Sequence, residues 1–392
     1  MDQKEQVSQA IDALGPELVD IARKIHARPE LAFEERYAAD LICTMLERHG
    51  LAPQRGAYDL ETAFRCDIGD GDGPVVAILS EYDALPEMGH ACGHNLIAAM
   101  GLGAAMGLAK VGALGGRIRY LGTPAEEHGG GKALMVARGA FDGVDAAMMV
   151  HPASADLEAM PALAVTEVKA VFKGKPAHAA SAPEQGINAL DACVSAYQNI
   201  AQLRQHITPN ERVHGIITYG GSAANVVPER AEATFYIRAR DAEMLAGLSE
   251  RVRACLEAGA MGAGATVSLE WWDNPYLELR TNKALTRCYR ANAERLGRTF
   301  FELGDVPLGV RGSTDMGNVS YVTPSIHPTI KIGPPGVSPH TECFAHCSSS
   351  ETGEDATLDG AKAMAMTALD FFADAELRAA VADDFASGTS AI

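Results

Sequence analysis

Three short apolar runs constrain this chain more than anything else in it: Val75-Val76-Ala77-Ile78-Leu79, Ile118-Arg119-Tyr120-Leu121 and Ala146-Ala147-Met148-Met149-Val150. Runs buried on both faces, separated by glycine-bearing loops and alanine-rich helical stretches, predict an α/β sheet with substantial parallel character. The polar residues fall just beyond these runs. After the first come Ser80-Glu81-Tyr82-Asp83 and then Gly89-His90-Ala91-Cys92-Gly93-His94; after the second, Gly122-Thr123-Pro124-Ala125-Glu126-Glu127-His128; the third ends in His151-Pro152. Ligands of open α/β sheets sit in the crevice beyond the carboxyl ends of the strands, so these three ends converge on one crevice. His, Glu and Cys are together the ligand set of zinc and related transition metals. Taken singly the motifs have bland readings: Cys-x-His is usually incidental, and paired glutamates usually lie on a solvated helix face. Their joint placement points to a metal, because buried acidic and thiol groups need a counter-charge.

The flanking pattern divides the chain. Val7, Ile11, Leu14, Leu18, Ile21 and Ile25 make one stripe of a packing helix, with Gly15-Pro16 a place where it restarts. Residues 95–110 are apolar all round, as in a helix packed inside. From about residue 164 the period becomes two: Val168, Ala170 and Phe172 alternate with Glu167, Lys169 and Lys173, and Ala231, Ala233, Phe235 and Ile237 alternate with charged or polar neighbours. Alternation means one wet sheet face. With helical stretches at 184–204 and 241–258 and a last strand at 265–272, the order β-α-β-β-α-β is a ferredoxin-like unit. The expectation is a catalytic domain formed by 1–164 and 277–392, carrying 165–276 as an inserted α+β lid or dimerisation domain.

Composition excludes some partners. The 392 residues carry 51 acidic and 33 basic side chains, a formal charge of −18. With no basic run to offset it, such a surface repels nucleic acid and anionic membranes. The opening segment lacks the basic-then-apolar order of a signal peptide, and no stretch has the ~18 apolar residues of a spanning helix. Eight scattered cysteines fit reduced thiols. The expected location is the cytoplasm.

The segments SEYDALPEMGHACGHNLI (80–97), GTPAEEHGGGK (122–132), HP (151–152), GKPAHAASAPEQGINALDA (174–192), NVVPERAEATFYIRA (225–239) and STDMGNVSYVTP (313–324) resemble the M20 metallopeptidase family. Within it they look most like the M20D amidohydrolase branch, of the p-aminobenzoyl-glutamate hydrolase B-subunit and dipeptidase-like type. The resemblance covers most of the chain in order and spacing. It implies a homodimeric, metal-dependent amidohydrolase that cleaves the amide bond of an N-acyl amino acid or small dipeptide-like substrate. Two divalent ions per subunit are implied, Zn or Mn first and Co as a third option. The other readings are a true dipeptidase and a catalytically silent metal-binding relative.

Carried over residue by residue, the resemblance implies Cys92, His94, Glu127, His151 and His340 as metal ligands, with His346 competing for the last place. Glu126 matches the general base and Asp83 a ligand-orienting aspartate. His178, in the inserted domain, matches a histidine that reaches a neighbouring subunit's site and would stabilise the oxyanion. Asn225 and Arg238 match substrate contacts, although Arg238 reads equally well as the solvent side of an alternating strand. Asn95 departs from the pattern, standing where many M20D members carry Asp. The run His340-x2-Cys343-x2-His346-Cys347 also admits a separate structural zinc cluster.

Overall fold

The structure is a computed structural model and describes residues 2–69, 72–112, 114–301 and 312–388. The chain divides into two units, Met1–Pro161 with Leu279–Ile392, and Ala162–Glu278.

In the first unit, the six apolar positions read from the sequence are all buried in α1 (Gln3–Ala27). The helix does not restart at Gly15-Pro16 but runs through it. An interior proline costs about 3 kcal/mol. Burying each aliphatic side chain of the stripe stabilises by about 1.5–3 kcal/mol, so the packing wins. Then follow α2 (Arg36–Arg48), β1 (Gln54–Arg55), β2 (Phe64–Ile68), β3 (Val75–Ser80), α3 (His94–Val111), β4 (Arg117–Gly122), α4 (Gly131–Ala137), β5 (Ala146–Met148) and β6 (His151–Ala153). The three apolar runs form β3, β4 and β5. They are central in a six-stranded mixed sheet of order β1-β2-β4-β3-β5 followed by the late strand β11 (Ser325–Ile326), with β3 parallel to both neighbours and β2 antiparallel to β4.

Helix α3 is buried from His94 to Leu108, as its all-round apolar sequence requires. It packs against α1 closely enough that a Cβ on Gly107 would lie 2.5 Å from Ile11 Cγ1.

The second unit contains β7 (Ala164–Lys173), α5 (Ala189–Leu203), β8 (Arg212–Tyr219), β9 (Arg230–Ala239), α6 (Ala242–Gly262) and β10 (Thr266–Trp271). Its sheet order β10-β7-β9-β8, with every pair antiparallel, is that of the ferredoxin-like fold. One face carries Val168, Phe172 and Phe235 into a core shared with Ile200, Leu248, Val252 and Leu256 of the two helices. Asn188 and Asp241 cap those helices through their side chains.

The chain returns to the first unit with α7 (Lys283–Arg295), α8 (Met316–Ser320), β11 (Ser325–Ile326), β12 (Thr329–Lys331), α9 (Glu342–Cys347), α10 (Glu351–Ala373) and α11 (Ala375–Ala386). Strand β11 extends the large sheet beside β5, and β12 pairs in parallel with β6. Among the described residues no helix is long and apolar enough to cross a membrane. All eight cysteines are free thiols.

Candidate metal centre

The strand ends of the first unit deliver the polar residues. Strand β3 ends at Ser80 and leads into Glu81 and Asp83; β4 ends at Gly122, before Glu126 and Glu127; His151 opens β6 just past β5. Cys92 and His94 flank Gly93, whose φ of +81° favours glycine and where a Cβ would press on Pro152 at 3.0 Å. That turn starts α3 and sets both side chains on the crevice.

The five ligand candidates meet there. Cys92 Sγ lies 3.5 Å from His151 Nε2, and His151 Nδ1 faces the Pro152 carbonyl at 2.7 Å. His94 Nδ1 lies 2.9 Å from Asp83 Oδ1. Each histidine thereby turns its other nitrogen into the crevice, an arrangement that fixes the tautomer of a metal-binding imidazole. His94 Nε2 faces Glu81 at 3.5 Å and both Glu126 and Glu127 at 3.9 Å. His340 Nε2 reaches Glu127 at 3.4 Å from the exposed rim. Three ligand groups have atoms mutually within 4.8 Å: Cys92–His94–His151, Cys92–Glu127–His340 and His94–Glu126–Glu127. His346 is exposed and belongs to none of them, and among the described residues Cys343, His346 and Cys347 form no such group.

The donors fit divalent ions. His94 Nε2 and Glu127 Oε1 are buried without a hydrogen-bond partner among the described residues. An imidazole nitrogen facing three carboxylates and a thiol needs a cation between them. Burial pushes His94 down, yet Cys92 and Asp83 together hold it well above the ordinary histidine range. Burial, with Glu81 and Glu127, raises Glu126 well above the carboxylate range. Burial, then Glu127, likewise pushes the Cys92 thiol up. Bound metal reverses that logic and favours the thiolate and carboxylate.

A fourth acidic group, Glu81–Glu126–Asp315, differs because it already contains a cation. Lys132, with no exposure, ion-pairs with Glu81 and lies 2.6 Å from Asp315. Its backbone N–H also donates to Asp315 at 2.8 Å. Lys132 holds Glu81 below the ordinary carboxylate range against the opposing effect of burial.

Sequence reasoning assigned no role to Lys132, Glu81, Asp315, Glu35 or His327. His327 is wholly buried 5.5 Å from the His151 ring, and burial first, then His151, lowers it to about 3. Glu35 accepts hydrogen bonds from the Ala125 N–H at 2.8 Å and the Thr62 hydroxyl at 2.9 Å. Glu81, Lys132 and Asp315 fall inside the family-like motifs, so their positions carried a signal. Glu35 sits in the charged run Glu34-Glu35-Arg36, which reads as a solvated helix start. Asn95 is structural, donating to the carbonyls of Ala22 and Ser348.

His178, Asn225 and Arg238 belong to the other unit. His178 is exposed, and its Nδ1 accepts from the N–H groups of Ala180 and Ser181 at 3.2 Å. Asn225 is its neighbour, the Ala179 N–H donating to the Asn225 carbonyl. Arg238, half-buried on β9, donates to His214 Nε2 at 3.4 Å and faces the Tyr236 ring.

Clustered Cys, His and Glu donors at the strand ends of an α/β domain make this a candidate site for divalent metal. Residues 164–262 match the peptidase dimerisation domain family. The chain is 38% identical to human Xaa-Arg dipeptidase, over 96% of this chain and 91% of that protein. It is 36% identical to the B-subunit of p-aminobenzoyl-glutamate hydrolase from Escherichia coli K12, over 67% of this chain and 59% of that protein. In fold it is similar to a dinuclear metal binding peptidase of the M20 family from Bacillus subtilis, with a TM-score of 0.69 at 24% identity, over 91% of this chain and 98% of that one. The chain belongs to the M20 peptidase family, and by class it is a metallo-amidohydrolase or metallopeptidase.

Proposed function

We propose that this enzyme hydrolyses the amide bond of dipeptides or N-acyl amino acids, with Cys92, His94, Glu127, His151 and His340 holding two divalent ions and Glu126 acting as general base. The observation that carries the reading is the divergence of adjacent glutamates from one turn. Both face His94 at 3.9 Å, but Glu127 also turns to Cys92 and His340, whereas Glu126 turns towards Glu81 and Asp315. A bound ion pair would supply an acidified water and a polarised carbonyl; Zn and Mn suit the donor set, with Co a third option.

The chain's own groups do the rest. Glu126 accepts the water's proton and returns it to the leaving nitrogen. Asp83 holds His94 by its side chain and the Glu127 peptide N–H at 2.8 Å, keeping both ligands aimed. His178, with Nδ1 occupied as an acceptor, presents Nε2–H as a donor suited to an oxyanion. Arg238 offers a planar fork for a substrate carboxylate, with Asn225 beside His178 as a second polar contact. The inserted unit, residues 165–276, serves as lid and homodimer contact. Its edge strand β8 exposes Ile216, Ile217 and Tyr219, an open edge of the kind a partner covers. We place the protein in the cytoplasm, where eight free thiols persist.

A relative that matches nearly the whole chain is a dipeptidase. That favours dipeptides with a basic carboxyl-terminal residue as the first substrates to try, ahead of p-aminobenzoyl-glutamate. The test is Glu126→Gln. The variant is expected to keep two equivalents of metal and lose turnover by about 10²–10⁴-fold on whichever panel member the wild type cleaves. Turnover within a few-fold of wild type would remove Glu126 from the mechanism. Chelator treatment that left wild-type activity intact would remove the metals.

A further inference from the structure

We infer that Glu35 is a positioning residue for the Glu126–Glu127 turn, acting on the base through the Ala125 peptide. The inference rests on Glu126 being the base, as proposed above.

Ala125 is fully buried and has a φ of +59°, left-handed backbone that a Cβ-bearing residue resists. Its N–H donates to Glu35 Oε1 at 2.8 Å, while its carbonyl accepts from the N–H groups of Gly130 and Gly131 at 3.1 and 3.3 Å. On the far side of Glu126, the Glu127 N–H donates to Asp83 Oδ2 at 2.8 Å. The base therefore stands between two peptide N–H groups, each held by a buried carboxylate. The two anchors are linked: Glu35 Oε2 accepts from the Thr62 hydroxyl, and the Thr62 carbonyl accepts from the hydroxyl of Tyr82, next to Asp83, at 2.6 Å.

A capping role does not explain Glu35. It occupies the N-cap of α2 yet makes no side-chain bond to that helix. Both its oxygens are committed elsewhere, to Ala125 and Thr62. Removing the carboxylate would leave a buried N–H unpaired beside a strained residue. Turning the Ala125 peptide relieves both penalties at once, and that rotation carries Glu126 out of place.

The experiment compares Glu35→Ala and Glu35→Gln with wild type, each at full metal occupancy and as metal-free protein. A displacement of about 1 Å costs a catalytic group on the order of a hundredfold. Glu35→Ala is therefore expected to lose about that much in kcat, with KM within about threefold and two metal equivalents still bound. In the metal-free protein, amide hydrogen exchange across residues 123–131 should accelerate, a readout independent of turnover. Glu35→Gln keeps an acceptor for the Ala125 N–H and should recover at least about tenfold of the lost kcat. Wild-type kcat in Glu35→Ala, a change in KM alone, or unchanged exchange would overturn the inference.

Should the alanine variant not fold, Glu35→Asp carries the test. One methylene shorter, it cannot span Ala125 and Thr62, and wild-type kcat there also overturns the inference. Glu126→Gln is measured alongside. If it stays active, the base assignment has failed; if it is inactive while the Glu35 variants behave as wild type, only this inference has failed.

Discussion

Each unit pairs a lysine with a glutamate, and the two pairs have opposite meanings. In the first unit Lys132 and Glu81 are both completely buried, and Asp315 adds a second carboxylate 2.6 Å from the ammonium. In the second, Lys169 and Glu232 lie 3.4 Å apart on neighbouring strands β7 and β9, with side chains 40% and 14% exposed. The first pair has been taken out of water and must be compensated locally. The second leaves its ammonium in water, and its glutamate, though largely covered, has Arg230 as a further partner. The catalytic unit thus spends fold stability on holding charges beneath its crevice, whereas the inserted unit keeps its charges outside an apolar core.

Lys132→Met should show the largest effect. It leaves Glu81 and Asp315 buried without their cation, and breaking a buried pair on one side costs about 3–5 kcal/mol. Thermal denaturation of the metal-free protein should show the first unit's Tm lowered by on the order of 10 °C. A change below about 1 kcal/mol would mean that water reaches these carboxylates, and the contrast between the units would collapse.

His178→Ala should invert that result. His178 is exposed and serves no core, so stability should stay within about 0.5 kcal/mol of wild type. If it donates to the oxyanion, kcat should still fall by about 10²–10³. Mixing Glu126→Ala with His178→Ala protein under subunit exchange should then regenerate activity, because a mixed dimer holds one intact set. No recovery would show that His178 does not act across a dimer.

The same contrast explains what could be read from the chain. Much of the inserted unit was legible because two of its strands are wet on one face: period two in 167–173 and 230–238 gave those strands and their faces, while the mostly exposed β8 carried no such alternation and was not located. The central strands of the first unit are buried on both sides. Their runs revealed existence and order but no face, and the information moved to the polar residues at their ends. Cys92, His94, Glu126, Glu127 and His151 were visible that way. Glu35 was not, and Lys132, although inside a family-like motif, gave no sign of its burial, because a buried charge in a folded protein and a solvated one are the same letter. Only the distant partners, Asp315 for Lys132 and Ala125 for Glu35, distinguish them. Pro16 misled for a related reason: local propensity said restart, and the tertiary packing of α1 on α3 overrode it.

Glu35 sharpens the comparison through pH. Burial first, and then Asp83, raises it to about 7 from the ordinary carboxylate range. The folded state therefore binds this proton more tightly than the unfolded chain. Stability from this group is full below the ordinary carboxylate range and is lost as pH rises through about 7. Glu35→Gln removes the titration, so it should be more stable than wild type at pH 8, by an amount on the order of 3 kcal/mol. The gap should close as pH falls towards 5, read as Tm against pH for the two proteins. A constant gap would mean that Glu35 stays ionised.

The smallest effect belongs to Lys169→Met. Lys169 and Glu232 are diagonal neighbours across β7 and β9, and Arg230 also pairs with Glu232. With the lysine gone, Glu232 keeps the arginine and keeps water. Exposed pairs contribute about 0–1 kcal/mol, and methionine still covers the sheet with a chain of similar length. The expected change is therefore below about 0.5 kcal/mol, and smaller still in high salt, where such pairs are screened. Measured beside Lys132→Met, it holds the residue exchange constant while burial and the partners' compensation differ. A loss as large as at Lys132 would place Lys169 in an environment as dry as the metal centre's, and the inserted unit could no longer be treated as one that keeps its charges in water.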